Sequence, residues 1–280
     1  MGSGVVRLGL VQMSASADVD RNLGKAIDLV GEAAGKGAEI VCLPELFSRR
    51  YFPATRGSRE TPETIPGPTS RALSQSAKEN KVVLVGGTIF ERSGSSAYNT
   101  CLVFDEHGRT ISKYRKVHIP QDEHYFEQDY FKPGTKYSVA KTDKGKIGTL
   151  VCFDQWYSEP ARIERLMGAD VLVYPTAIGW VKGIEQTEGE WRPAWEAVQV
   201  GHAVANSVVV AAVNRVGVEG VTTFWGSSFV CDQFGKVLLR AGEDEGVYVA
   251  DCDLDLGKLV ENGWGFMRNR QKKTYSRIVK

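Results

Sequence analysis

Two stretches of this chain, KGAEIVCLPE at 36–45 and MGADVLVYPT at 167–176, repeat one design: a glycine stop, alanine, an acid, an apolar run and a proline. An apolar run without polar alternation needs cover on both faces, so each stretch predicts a central strand of a sheet buried between other layers. A second echo accompanies the first. CLVFDEHGRTISKYRK (101–116) and SFVCDQFGKVLLRAGE (228–243) each read as strand, D-x-x-G turn and strand, the glycine taking the left-handed position of a hairpin. Together the echoes predict two similar halves, each a sheet covered by helices on its outer side.

The remaining signals alternate in the same way. VVRLGLVQM reads as a strand, followed by a helix from about Asp20, which can cap it. Leu23, Ala26, Ile27, Val30 and Ala34 fall on one face of that helix, and Gly37 stops it. PTSRALSQSAKEN reads as a second helix, KVVLVGGTIF as the strand after it, and KIGTLVCF as a strand running up to Cys152. Ser158 and Pro160 open a short helix through Met167, closed by Gly168. Trp191, Trp195, Val198, His202 and Ala205 make a helical stripe, and SVVVAAVNRVG follows as a strand. No linker or low-complexity segment interrupts the pattern, which predicts one α/β domain over residues 1–280: two stacked sheets between two helix layers.

Composition excludes more than it assigns. With 280 residues and 42% apolar content the chain can bury a large core, and a net charge of +1 gives no pull toward nucleic acid or an anionic membrane. The most apolar run, SVVVAAV, is strand-sized and too short to cross a bilayer. The N-terminus lacks the apolar region of a secretory signal, and Val6 stands where a myristoylation pattern needs Ser or Thr. Cys42, Cys101, Cys152, Cys231 and Cys252 are odd in number, scattered and without a C-x-x-C pair. This spacing points to a reducing cytoplasm and away from a disulfide scaffold or a metal site.

Cys152 ends an apolar strand just before a helix start. A nucleophile is displayed at such a turn, where backbone N–H groups can hold an oxyanion. Taken alone, a strand-end cysteine is more often inert core filler, and a thiol of ordinary pKa ~8.5 needs a base or a cation beside it to react at neutral pH. Glu45 is the second unusual residue: IVCLPEL drives a buried strand into a carboxylate, which must be paired or at work there. In SKYRKVHIP, one lysine, Lys113 or Lys116, could turn inward to such an acid, while most of the basic residues remain solvated. The aperiodic loop QDEHYFEQDYFKPG reads as a pocket wall, with Glu127 a second site acid and Asp122 and Glu123 solvated.

CLPEL, YRKVHIP and CFDQWYSEP resemble, in order, the three signature blocks of the nitrilase, or carbon–nitrogen hydrolase, family. FEQDYFKPG, YPTAIGW, NRVG, WGSSFVCDQFG and WGFMRNRQ extend the similarity over nearly the whole chain. The resemblance implies Glu45 as general base, Lys116 as oxyanion stabiliser, Cys152 as nucleophile and Glu127 as the acid that positions substrate and lysine. It also implies a four-layer αββα sandwich with two pseudo-similar halves, dimerising as αββα–αββα, and no cofactor. KVHIPQDEHYFEQDYFKPG, CFDQWYSEPAR and YPTAIG are most similar to the N-carbamoylputrescine amidohydrolase branch. That likeness implies a substrate pocket bounded by Tyr51, Phe153, Trp156, Ala177 and Trp180, the N–H of Phe153 helping to hold the oxyanion.

Two departures qualify the likeness. Ser158 replaces a proline usual in the turn after the nucleophile. Trp180 and Val181 stand where some putrescine-type members place a small residue and an acid, leaving Glu185, Glu188 or Glu190 to meet a distal ammonium. The implied substrate is a small N-carbamoyl amine cleaved at its terminal ureido C–N bond. An alternative is 3-ureidopropionate, another N-carbamoyl amino acid or an ω-amide, with Arg49 or Arg50 receiving a carboxylate; a noncatalytic binder on the same scaffold is the lesser one. The basic, aromatic C-terminal segment 257–280 is expected in a subunit contact of a homodimer or higher oligomer, without a nucleic-acid or membrane partner.

Overall fold

The computed structural model describes residues 4–184 and 189–279. The first half runs through β1 (Val5–Gln12), α1 (Val19–Gly35), β2 (Ile40–Cys42), β3 (Glu63–Thr64), α2 (Pro68–Asn80), β4 (Val83–Val85), β5 (Ile89–Ser93), β6 (Ser96–Phe104) and β7 (Thr110–Arg115). The second begins with β8 (Val139–Thr142), β9 (Gly145–Thr149), α3 (Ser158–Leu166), β10 (Val171–Pro175), β11 (Gly179–Val181), α4 (Trp191–Asn206) and β12 (Val209–Val213). It closes with β13 (Val216–Glu219), β14 (Thr222–Trp225), β15 (Phe229–Cys231), β16 (Val237–Arg240), β17 (Gly246–Asp253) and α5 (Asp255–Gly263).

One sheet has the order β17-β1-β2-β4-β6-β5-β3 with β7 beside β6; the other is β16-β15-β12-β10-β9-β8. The echoed strands occupy equivalent places. β2 lies parallel between β1 and β4, and β10 lies parallel between β9 and β12. Their side chains serve two cores, as an unbroken apolar run requires. Ile40, Cys42, Leu8 and Leu10 enter the interior shared with Val171, Val173 and Val210 of the facing sheet, whereas Val41, Leu43 and Val11 meet Ala26, Val30 and Leu73 of the covering helices. Ala161 of α3 and Trp195 and Ala203 of α4 cover the second sheet. The layers are therefore α, β, β, α, as the echoes predict.

Both D-x-x-G hairpins form. Asp105 accepts the backbone N–H groups of His107 and Arg109, Asp232 those of Phe234 and Lys236, and Gly108 and Gly235 adopt φ of +79° and +81°. Three local expectations are corrected. The cap of α1 is Asp18, whose Oδ1 accepts the Arg21 N–H at 3.0 Å, and the buried line is Asn22, Ala26, Val30 and Ala33. Its phase is set by Asn22, which donates to the carbonyls of Ser16 and Ser48. KVVLVGGTIF is two strands, broken where Gly87, at φ +58°, passes so close to Pro44 that a Cβ would lie 2.3 Å from its carbonyl oxygen. On α4, Ala205 is exposed, and the inner face is Trp195, Gln199, His202 and Asn206, all four of which bond Gln155 or one another.

Candidate active site

The ends of the two echoed strands meet. Just beyond β2 the Glu45 N–H donates to the Thr176 carbonyl at 3.4 Å, just beyond β10, and the Cys152 thiol lies 3.9 Å from the carbonyl of Ala177. The site thus sits past the C-terminal ends of central parallel strands, where the layers leave room for side chains.

Lys116 is the inward-turning base of SKYRKVHIP. Its backbone N–H pairs with the Asn99 carbonyl as β7 ends, and its ammonium reaches Glu45 Oε1 at 2.9 Å and both oxygens of Glu127 at 2.8 Å. All three side chains are fully buried. Lys113 and Arg115 turn the other way, onto Glu91. Burial opposes the charge on Lys116, but the carboxylates of Glu127 and Glu45 outweigh it and hold the ammonium above its ordinary range. Burial pushes the Glu127 carboxyl up to about 7, against the pull of Lys116.

Glu127 also accepts the Tyr51 hydroxyl at 2.6 Å. The two oxygens of Glu45 differ: Oε1 accepts Lys116 and the Asn99 side-chain N–H at 2.7 Å, while Oε2 is buried without a partner among the described residues.

Cys152 begins a 3-10 turn, Cys152–Trp156, with φ +43°, a left-handed conformation that costs a non-glycine residue about 1–3 kcal/mol. The turn is held from both sides. Asp154 accepts the Val151 N–H at 2.9 Å, the Tyr114 hydroxyl at 2.7 Å and the His118 N–H at 3.0 Å, tying it to the chain on either side of Lys116. Gln155 accepts Trp195 Nε1–H through its side chain, and its carbonyl lies 2.7 Å from His202 Nε2. Burial first, and then the charge of Glu45, hold the Cys152 thiol well above its ordinary range, with Lys116 opposing. The resting sulfur is therefore protonated, and it needs a proton acceptor at the moment it reacts.

Cys152 opens on a cavity of about 390 Å³ whose wall includes Phe153, Trp156 and Tyr125 together with Asp122 and Glu123. Ile178, Ile184 and Trp191 line it as well. A larger groove of about 700 Å³ between α4 and β16 is lined by none of Glu45, Lys116, Glu127 and Cys152.

The other expected pocket residues are placed as follows. Tyr51 acts on Glu127, and Ala177 presents its carbonyl to the thiol. Trp180 packs edge-on against Trp225 at 5.1 Å, with the Arg192 guanidinium 5.3 Å from its ring centre. Arg49 is buried and paired with Glu60 at 2.7 Å, and Arg50 is exposed. Glu190 is exposed beside Arg192, while Glu185 and Glu188 lie outside the described residues. Ser158 starts α3 without the proline. Asn99, Tyr125, Asp154 and Gln155 escaped the reading of the sequence. A polar Asn99 inside the strand YNTCLVF and an acid two residues after Cys152 were the available signals.

Residues 7–261 match the model of the carbon-nitrogen hydrolase family. The chain belongs to the carbon–nitrogen hydrolase family. It is similar to an N-carbamoylputrescine amidase from Solanum lycopersicum, 38% identical over 98% of this chain and 95% of the relative. An omega-amidase from Danio rerio is 36% identical over 96% of each chain. The crystal structure of a carbon-nitrogen hydrolase from Helicobacter pylori superposes with a TM-score of 0.94 at 33% identity, covering 99% of both chains. As a carbon–nitrogen hydrolase the protein is an amidase-type enzyme of the nitrilase superfamily, acting on non-peptide C–N bonds.

The raised Glu127 carboxyl makes a pH prediction for this hydrolase. A carboxyl lifted from an ordinary 4.5 to about 7 stabilises the fold fully below pH 4.5 and loses that contribution as pH rises to about 7. Glu127→Gln cannot ionise. Its denaturation midpoint relative to wild type should therefore rise between about pH 5 and about pH 8. A gap that stays flat would show that Glu127 titrates as an ordinary carboxyl.

Proposed function

We propose that the enzyme hydrolyses the terminal ureido C–N bond of an N-carbamoyl amine, with N-carbamoylputrescine giving putrescine, carbon dioxide and ammonia as the best-supported substrate. The observation that carries the reading is the buried Glu45–Lys116–Glu127 cluster, with Glu45 Oε2 unpartnered, whose charges reach a protonated Cys152 displayed on the cavity wall. In this reading Glu45 takes the thiol proton as Sγ bonds to the ureido carbon. Lys116 and the Phe153 N–H hold the negative oxygen, and Glu127 and Tyr51 hold Lys116. The tetrahedral adduct collapses with loss of the terminal nitrogen, to which Glu45 returns the proton, so that ammonia leaves and a carbamoyl thioester remains. Glu45 then takes a proton from water as it attacks the same carbon. The thiol departs protonated, and the released carbamate divides into amine and carbon dioxide.

The wall chemistry supports a cationic distal end. Among the described residues lining the cavity, the charged ones are Asp122 and Glu123, beside the rings of Tyr125, Trp156 and Trp191, and none is Lys or Arg. Carboxylates and aromatic faces attract an ammonium. Arg49, a candidate for a carboxylate end, is already paired with Glu60. Steady-state kinetics on N-carbamoylputrescine, 3-ureidopropionate and an ω-amide of matched length test the reading. The amine-ended compound should lead in kcat/KM by about tenfold or more, the equivalent of one ~1.4 kcal/mol contact. A preference for 3-ureidopropionate would overturn it; a preference for the ω-amide would move the enzyme toward the activity named for its omega-amidase relatives.

The cysteines are buried thiols, which supports a cytoplasmic site of action. Residues 257–280, which expose Leu259, Trp264 and Ile278, support assignment of that segment to a contact between copies of this chain.

A further inference from the structure

We propose that Asn99 is the positioning residue of the site, dividing the two oxygens of Glu45 so that one is held and the other is left to move the proton. The inference rests on the base role given above to Glu45. Asn99 lies in β6, opposite Phe90 of β5, and is fully buried. It touches both partners of the cluster: its carbonyl accepts the Lys116 backbone N–H at 2.9 Å, and its Nδ2 donates to Glu45 Oε1 at 2.7 Å.

With Lys116 at 2.9 Å on the same atom, Oε1 has two donors and Oε2 has none among the described residues. A buried acceptor left without a donor is unfavourable. That deficit is relieved when Oε2 receives the thiol proton, or the proton of the water that follows. Lysine alone cannot enforce the division. Its ammonium is a compact charge on a flexible stem, satisfied by either carboxylate oxygen, and here it serves Glu127 as well. Asn99 is fixed on the interior of a strand, and of the two N–H groups on its Nδ2 the one aimed at Glu45 meets Oε1.

The variant Asn99→Leu removes the donor at nearly constant volume. Asn99→Asp keeps the shape and turns a carboxylate oxygen toward Oε1, and it supplies the test should the leucine variant fail to fold. Two readouts apply to each: kcat and KM on the ureido substrate, and the rate at which iodoacetamide alkylates Cys152, with and without protecting substrate. Both variants at about pH 8 should lose kcat on the order of 10²-fold, the scale of a misplaced reacting group, with KM and substrate protection within about threefold. Alkylation should slow in parallel with Glu45→Gln. Retained kcat in either folded variant would overturn the proposal, as would a joint loss of kcat, KM and protection, which would mark a purely structural residue. The alkylation arm needs no substrate. Should the wild-type enzyme turn over no ureido or amide compound, the functional reading fails, while slower alkylation in Asn99→Leu still supports the positioning role and unchanged alkylation still refutes it.

Discussion

Cys152→Ala is expected to lower ammonia release by about 10⁴-fold or more, the scale set by removing a nucleophile whose partners then have nothing to activate. The side chain lost is small, and the turn beneath it is held by hydrogen bonds to Asp154 and Gln155 rather than by the sulfur. The variant should therefore fold and keep its affinity for substrate, with KM or a dissociation constant close to wild type. Cys42 and Cys101 provide the contrast. Burial raises their thiols as well, but the groups acting on them are Cys252 for Cys42 and Cys42 and Glu164 for Cys101, not Lys116. Alanine at either should reduce stability through the cavity it leaves and spare the chemistry. Ammonia assays beside thermal melts on the three variants separate these outcomes. Near-wild-type turnover in Cys152→Ala would end the covalent mechanism.

Lys116→Met should damage both fold and activity, for a reason specific to this cluster. Lys116 carries the positive charge between two fully buried carboxylates. Removing one partner of a buried ion pair typically costs about 3–5 kcal/mol, because the opposite charge stays desolvated and uncompensated. Here two acids are left facing each other, and the deficit should show in a denaturant titration as a lower midpoint at unchanged slope. The double variant Lys116→Met with Glu127→Gln removes one of those charges. It should recover part of the stability and none of the turnover, since the oxyanion still lacks its cation. Recovery of turnover along with stability would show that Lys116 serves the fold alone. A lone Lys116→Met as stable as wild type would contradict the burial of the cluster.

The layered fold was legible because burial leaves a local trace. A strand covered on both faces reads as an unbroken apolar run, and IVCL and VLVY do so twice; a hairpin turn leaves D-x-x-G, and both copies form as read. Where the reading slipped, a polar side chain had displaced the apolar period. Asn22 shifted the inner face of α1, and Gln155 drew Gln199 to the inner face of α4, beside the expected His202. Glu45 and Cys152 stood out for a related reason, a carboxylate and a thiol at the ends of core strands where apolar residues would be cheaper to bury.

The division of labour within the site had no such trace. Lys116 meets a carboxylate 71 positions away, and Asn99 donates to the same oxygen from 54 positions away. Asp154 reaches back 40 positions to Tyr114. Periodicity along a chain tells which face of an element is dry, because each residue's burial depends on its own place in the element. Which lysine turns inward, which oxygen stays free and whether a thiol keeps its proton depend on charges and donors brought together from separate strands. Those are properties of distance through space, and folding alone sets them.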